Sequence, residues 1–443
     1  MRFRFSRIPS GVRRHWSSAL FAVTASVSTP LFALGAQGTT ASDPIPALHE
    51  QLLVRARIAN PALMAARARL DAARAGQRAA GAAPVTTLDA DLTDGPGGDI
   101  AAGNLTLAAS RPIGLGARRT AARAIAASEV VIAARELEAH ERALSLVLTR
   151  ELAAAVGATR VMQRLTASDA WLADAEAALS VRVATGEARY LDVLRVRTER
   201  LQLAAERADA MADRRVALAV LSAQFGAPLG NEWSATALAA RVDSAAAVED
   251  VGAWLLLLGE RPPTDSLLEW ADAVRAADAL RQRAIGEREA LLATQRAQLI
   301  GAAGVQRIGP ANGGPAMGLV LGLSTTLPFT GRQGLAAARE AATADVGAAS
   351  VAREAARSDA RATLEAAVAR DDAARERVAL FSGVLVSAAE SERESALTQY
   401  RNGALSLLEL LDFERALLRV EVERARAIAA AAASRAALFG LEP

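Results

Sequence analysis

The sequence predicts a mainly α-helical protein with a small β part, built from a duplicated unit of long coiled-coil helices and two β-hairpins. Three observations predict it. The 443 residues include 110 alanines but only 4% aromatics, which suits long, closely packed helices better than one bulky core. Each half of the chain holds two strand-like runs around a Gly-rich loop, the pattern of a hairpin. The order of short helix, hairpin, long helix and returning helix then occurs twice.

Taken from the N-terminus, residues 1–36 read as a secretory signal peptide. Arg2, Arg4, Arg7, Arg13 and Arg14 precede an apolar stretch, and small residues follow at Ala33-Leu34-Gly35-Ala36. Its removal takes five basic residues and no acidic one, so the formal charge of +2 becomes −3. A nucleic-acid partner thereby loses its electrostatic support. The chain has no cysteine, which excludes disulfides, thiolate metal sites, Cys nucleophiles and a cysteine-borne lipid anchor. After the leader the longest apolar run is Val251–Leu258, far short of the roughly 20 residues of a spanning helix. The exported chain is expected either to be soluble or to cross a membrane as strands.

The first repeat is expected over 37–229. It comprises a helical stretch over 47–81, strands over 85–92 and 104–112, and a very long Ala/Arg/Glu helix from Ala117 to about Ala184. A returning helix then runs to Phe225-Gly226. Residues 230–263 read as a linker with short helices. The second repeat, 264–443, follows the same order with a helix over 264–298, strands over 299–308 and 317–328, a long helix from Arg332 to about Tyr400, and a return to Phe439-Gly440. The turns align, with Thr185-Gly186-Glu187 through Tyr190 and Asp192 against Asn402-Gly403-Ala404 through Leu407 and Glu409. The long helix covers roughly 105 Å and the return only roughly 60 Å at 1.5 Å per residue. A short first helix supplies the difference, so each half forms a hairpin of one long helix beside two stacked shorter ones.

Alternation places the strands. Leu88, Ala90 and Leu92 oppose Thr87, Asp89 and Asp91; Leu105, Leu107 and Ala109 oppose Thr106, Ala108 and Ser110; Met317, Leu319, Leu321 and Leu323 oppose Gly318, Val320, Gly322 and Ser324. The third strand, with Gly301, Ala302, Ala303, Gly304 and Gln306, has the weakest pattern. One such hairpin suits the edge of a soluble sandwich, whereas two in an exported chain suit a membrane barrel, whose strands run to about 10 residues. Four strands cannot close a barrel, so several chains must share one. Leu407, Leu411, Leu418, Val422, Ala429 and Ala433 recur at steps of four and seven, a coiled-coil seam.

Enzyme chemistry finds little support. After the leader the only histidines are His49 and His140, without paired metal spacing, and no phosphate loop or nucleophile motif occurs. Met64, Met162, Met211 and Met317 are scattered as packing residues are. No cofactor or metal site is expected.

The duplicated order, the two Gly turns and the strand-to-helix junctions resemble the TolC-like outer-membrane factors of tripartite efflux and secretion systems. Asn60-Pro61-Ala62-Leu63 and the run Ser110-Arg111-Pro112-Ile113-Gly114-Leu115-Gly116-Ala117-Arg118-Arg119 are most similar to the CzcC-type heavy-metal efflux branch. The resemblance implies a homotrimer with a twelve-stranded barrel in outer-membrane lipid, continued by a periplasmic helical tunnel. A periplasmic adaptor and an inner-membrane pump, of the resistance-nodulation-division type, would be its partners. The family's constriction carboxylates match Glu409 and Asp412, which a trimer would repeat as rings of six carboxylates, and Tyr400 matches a residue that helps hold the closed state. Gly186, Asp192, Gly403 and Leu407 fall in the turns where adaptors would dock. Drug-efflux and type I secretion channels share these motifs. A periplasmic adaptor would carry a single hairpin rather than a duplicated unit, and a coiled-coil scaffold would leave the strands unexplained. Glu199 and Glu206, away from the first turn, are expected to matter little to the constriction.

Overall fold

The structure is a computed structural model that describes residues 45–93, 103–113, 116–226, 233–247, 267–268, 271–294, 298–308, 316–326 and 332–439. The expected leader, 1–36, and most of the expected linker, 230–263, lie outside the described residues. The fold is mainly helical and carries one four-stranded antiparallel sheet.

In place of one helix over 47–81 the chain forms α1 (Ile45–Ala59) and α2 (Pro61–Gly81). The break follows from Asn60-Pro61. The Asn60 side-chain oxygen accepts from the N–H groups of Ala62 at 2.9 Å and Leu63 at 3.1 Å, and Pro61 sits at the first helical position, where no N–H is required. Asn60 also donates through Nδ2 to the Gln224 carbonyl at 3.1 Å. Beside it Gly226, at φ +66°, approaches the Ala59 carbonyl so closely that a Cβ would lie 2.7 Å from it. Thus α2 and α4 (Tyr190–Ala223) meet end to end. Both pack along α3 (Gly116–Ala184), one helix of 69 residues and roughly 104 Å. Arg119 of α3 donates to the Gly81 carbonyl of α2 at 2.7 Å, and Glu176, far along α3, accepts from Arg197 and Arg200 of α4 at 2.5 and 2.8 Å.

The later helices are α5 (Ala235–Ala247), α6 (Asp272–Thr294), α7 (Arg332–Leu380), α8 (Val386–Arg401) and α9 (Leu407–Phe439). The long helix expected over 332–400 is interrupted by a π-helical segment, Phe381–Leu385. It contains Ser382 and Gly383, and the Ser387 hydroxyl donates back to the carbonyls of Gly383 and Val384, both at 3.1 Å. Such local Gly/Ser chemistry relaxes the regular ladder. The largest core gathers Leu48, Leu52, Leu148, Leu152, Leu221 and Leu238 where α1, α3, α4 and α5 meet. Small residues set the helix spacing there: a Cβ at Gly157 of α3 would stand 2.8 Å from that of Ala429 on α9. Leu411 and Val422 of the predicted seam are buried, and Leu407 and Leu418 pack against them. A buried ion pair, Arg435 to Asp371 at 3.1 Å, ties α9 to α7.

The sheet order is β1 (Thr87–Thr93), β2 (Asn104–Ile113), β3 (Gln298–Ile308), β4 (Ala316–Thr326). The two hairpins, nearly 200 residues apart in sequence, join through β2 and β3. The first strand starts two residues later than expected because Val85 would face Pro112, which has no N–H to offer a ladder. Register decides what each side presents. Leu92 faces Leu105, which faces Arg307, which faces Met317; the next rows read Ala90, Leu107, Val305, Leu319 and Leu88, Ala109, Ala303, Leu321. The apolar sides of all four strands therefore coincide, and the glycine-rich β3 is no exception. This side is turned outward: Leu319 and Leu321 are 75% and 76% exposed. The opposite side carries Asp89, Asp91, Thr106, Ser110 and Gln306, and Ser110 donates to Asp89 at 2.9 Å. The glycines of β3 keep β2 close, since a Cβ at Gly304 would collide with the Leu107 carbonyl and lie 2.7 Å from the Ala108 Cβ.

Gly304→Val is expected to part β2 from β3 and abolish the folded sheet. Gly318→Ala, whose Cβ would meet nothing nearer than the Gln306 carbonyl at 3.9 Å, should leave it intact. Limited proteolysis of the purified protein distinguishes the two, and equal sensitivity would contradict the close β2–β3 packing.

Candidate functional site: the glycine turns and the returning helices

Each long helical arm ends in the same backbone device. At the first turn the Gly186 N–H donates to the Val183 carbonyl at 3.1 Å and the Glu187 N–H to the Arg182 carbonyl at 2.8 Å; at the second, Gly403 donates to Tyr400 at 3.0 Å and Ala404 to Gln399 at 2.9 Å. These paired bonds form a Schellman cap, which needs a left-handed residue at its apex. Gly186 and Gly403 supply it with φ of +78° and +75°. A Cβ at either would meet nothing within 4 Å. Glycine is therefore required by backbone conformation and not by crowding.

The turns stand side by side. The Arg182 guanidinium reaches the Tyr400 hydroxyl at 3.5 Å and Glu187 at 3.9 Å, joining the ends of α3 and α8. Exposed apolar side chains stand around them, Val181, Tyr190, Leu191 and Leu408, interspersed with the exposed charges of Arg189 and Arg401. Of the residues singled out in the turns, Asp192 lies half-buried in the first turn of α4, where a carboxylate favours the helix N-terminus. Leu407 is half-buried and packs inward against the core that includes Val193 and Leu411; the outward leucine is Leu408.

Glu409 and Asp412 occupy one side of the start of α9, and the structure gives them different surroundings. Glu409 accepts from the Ser406 N–H at 2.9 Å and from its hydroxyl at 2.7 Å, while the Ser406 oxygen lies 3.3 Å from the Glu409 N–H. This is a reciprocal capping box, whose Ser-x-x-Glu spacing is legible in Ser406-Leu407-Leu408-Glu409. The two Ser406 bonds hold the Glu409 carboxyl below the usual glutamate range, so it stays an anion at neutral pH. Asp412 instead pairs with Arg415 at 3.1 Å. Arg415 also binds Glu199 of α4, a buried carboxylate, 7% exposed, whose charge requires a partner. The Asp-x-x-Arg spacing hints at the first of these pairs, and nothing local to the sequence signals the second. His49 donates to or accepts from Thr149 at 2.9 Å, and burial lowers its pKa. Among the described residues no three His, Asp or Glu side chains gather as metal ligands do.

Three outcomes follow from this geometry. Gly186→Val or Gly403→Val should cost roughly 1–2 kcal/mol through left-handed strain, and Asn at the same positions should cost less, read from thermal unfolding in detergent. Arg415→Met should destabilise by roughly 1–3 kcal/mol, below the range for fully buried pairs because Arg415 is partly exposed, and Glu199→Met in the same chain should restore much of the loss. A carboxyl with a lowered pKa binds fewer protons folded than unfolded. The capping contribution of Glu409 is thus complete above the ordinary glutamate pKa and disappears as pH falls through the lowered one; Glu409→Gln should flatten that part of the stability profile.

No protein-family model matches the chain, and no curated protein matches it by sequence. Solved structures do match it in fold. The open-state MtrE outer membrane channel of Neisseria gonorrhoeae is 18% identical, with 91% of this chain and 93% of that chain covered and a TM-score of 0.73. CusC, solved in a study of folding and transmembrane channel formation, is 15% identical over 93% and 95% of the two chains at a TM-score of 0.72. The outer membrane protein VceC of Vibrio cholerae is 20% identical over 89% and 96%, with a TM-score of 0.69. These identities establish a common fold, and the coverage extends that fold over nearly the whole of each chain. The described chain thus has the fold of outer-membrane channels, with its sheet and helical hairpins in one polypeptide.

Proposed function

We propose that the protein is the outer-membrane exit duct of a tripartite efflux system. Three copies would close a twelve-stranded barrel and continue it as a helical tunnel, passively conducting substrates delivered by a periplasmic adaptor and an inner-membrane pump of the resistance-nodulation-division type. The observation that carries this reading is the outward apolar side of the sheet, continuous over all four strands and attached to helices of tunnel length. Among the described residues no helix is long and apolar enough to cross a membrane, and a closed barrel is the other solution for a spanning backbone. The Gly186 and Gly403 turns, with Asp192, Leu407 and the exposed Leu408 near them, supply the surface for adaptor hairpins. The leader at 1–36 accounts for export.

Cations, heavy-metal ions among them, are the substrate class favoured by Glu409 and Asp412 at the far end of the helices. Threefold repetition would gather their carboxylates, a field that concentrates cations in a confined pore. Arg415 moderates it, because each Asp412 brings a bound guanidinium with it. Glu409 therefore supplies most of the selectivity, and Tyr400, linked to Arg182, braces the neighbouring arm.

Purified protein in planar bilayers should conduct poorly, prefer cations and be blocked by multivalent cations. Glu409→Gln, which can still accept from the Ser406 N–H, should weaken the preference more than Asp412→Asn, and Arg415→Gln should strengthen it. Anion preference in the wild type would refute the cation reading. Unchanged conductance in the Glu409→Gln, Asp412→Asn chain would place the constriction elsewhere.

A further inference from the structure

The apolar side of the sheet carries two charges, and both are positive. Arg307 stands in the row of Leu92, Leu105 and Met317, and Arg111 stands three rows away beside Gly301 and Leu323. Both are exposed. The two acidic residues of the strands, Asp89 and Asp91, lie on the other side. Between the arginines run two uncharged rows built from Leu, Val and Ala. An arginine facing hydrocarbon at the centre of a bilayer is strongly unfavourable, whereas at the boundary its stem lies along apolar surface and its guanidinium reaches the headgroups.

The spacing agrees with that placement. Arg111 and Arg307 are six residues apart along the ladder, about 20 Å at 3.4 Å per residue, or about 15 Å in height at a barrel strand's usual tilt. Each stem then carries its charge several ångströms further from the centre, which brings the separation close to the apolar band of about 25 Å on such barrels. No Trp, Tyr or Phe occurs within the four strands, so the aromatic residues that commonly mark these boundaries are not supplied there. The guanidinium is also the side chain best matched to a phosphate, because its fork donates two parallel hydrogen bonds.

We propose that Arg111 and Arg307 bind the phosphates of anionic bilayer lipids, one residue at each boundary of the apolar band, and so fix the depth at which the sheet sits. This rests on the membrane reading above. Each copy in an assembly presents two such sites, and the rows of Leu319 and Leu321 are held near the midplane between them.

The full chain, reconstituted in phosphatidylcholine vesicles, is probed by electron paramagnetic resonance with spin-labelled phosphatidylglycerol or spin-labelled phosphatidylcholine. The motionally restricted fraction should favour phosphatidylglycerol several-fold, and 0.5 M salt should reduce that preference. Arg111→Gln with Arg307→Gln should bring the ratio close to one, each single change should remove about half of the preference, and Arg361→Gln on α7 should change nothing. A wild-type ratio of one, or a preference that survives the double substitution, overturns the proposal. Should the double variant fail to assemble, Arg111→Lys with Arg307→Lys serves in its place: a weakened preference supports the proposal and a full one contradicts the role of the guanidinium fork. Failure of the wild type to enter vesicles would instead remove the membrane reading, and the lipid sites with it.

Discussion

A sheet that turns its apolar side outward and, among the described residues, gives neither outer strand a further partner is poorly suited to a lone copy. In water the leucines of β4 would be exposed, and in hydrocarbon the free N–H and C=O groups along β1 and β4 would go unsatisfied. Both difficulties end if β4 of one copy pairs with β1 of the next. On the reading proposed above, closure of the sheet through other copies is the constraint on which the rest depends. It accounts for an apolar side that runs over all four strands while their polar residues share the opposite side.

The helices answer a different demand, which is length with narrow spacing. A helix of 69 residues cannot be matched by one partner of equal regularity here, so α2 and α4 meet end to end along it, with Asn60 capping one and bonding to the last turn of the other. Alanine and glycine hold the axes close, as at Gly157 and Ala429. At the far end the Schellman turns reverse the chain without projecting a side chain at their apices, which leaves a low rim. The charges behind that rim are arranged in pairs that cross between helices. Arg415 joins α9 to α4 through Glu199, and Arg182 joins α3 to α8 through Tyr400. Relative movement of the arms would have to exchange these contacts, so the electrostatics of the turn region and its mechanics are coupled.

Much of this was legible because two periodicities dominate the sequence. Alternation in β1, β2 and β4 revealed which side was apolar, and the repeated Gly turns revealed the duplication. The weakly patterned β3 was legible only after register was known, since Ala303 and Val305 gain their meaning from Leu107 and Leu321 beside them. The expectation of one helix over 47–81 passed over the cap at Asn60-Pro61, and the Ser406-x-x-Glu409 box went unused, although both rest on neighbours within three residues. The pair Glu199 to Arg415 spans 216 residues, and no local rule announces it. The π-helical segment at Phe381–Leu385 depends on packing as well as on Gly383, so an Ala-rich helical pattern ran through it unbroken.

The absence of native cysteines makes the closure itself directly testable. One cysteine placed in β1 at Ala90, combined in turn with one in β4 at Met317, Leu319, Leu321 or Leu323, which share its side of the sheet, allows oxidation across adjoining copies in native membranes. Covalent dimers and trimers in at least one pairing, and none when either cysteine is present alone, is the result expected if β1 and β4 of different copies are neighbours. Monomers throughout the series, in membranes that contain the folded protein, would contradict a barrel shared between chains.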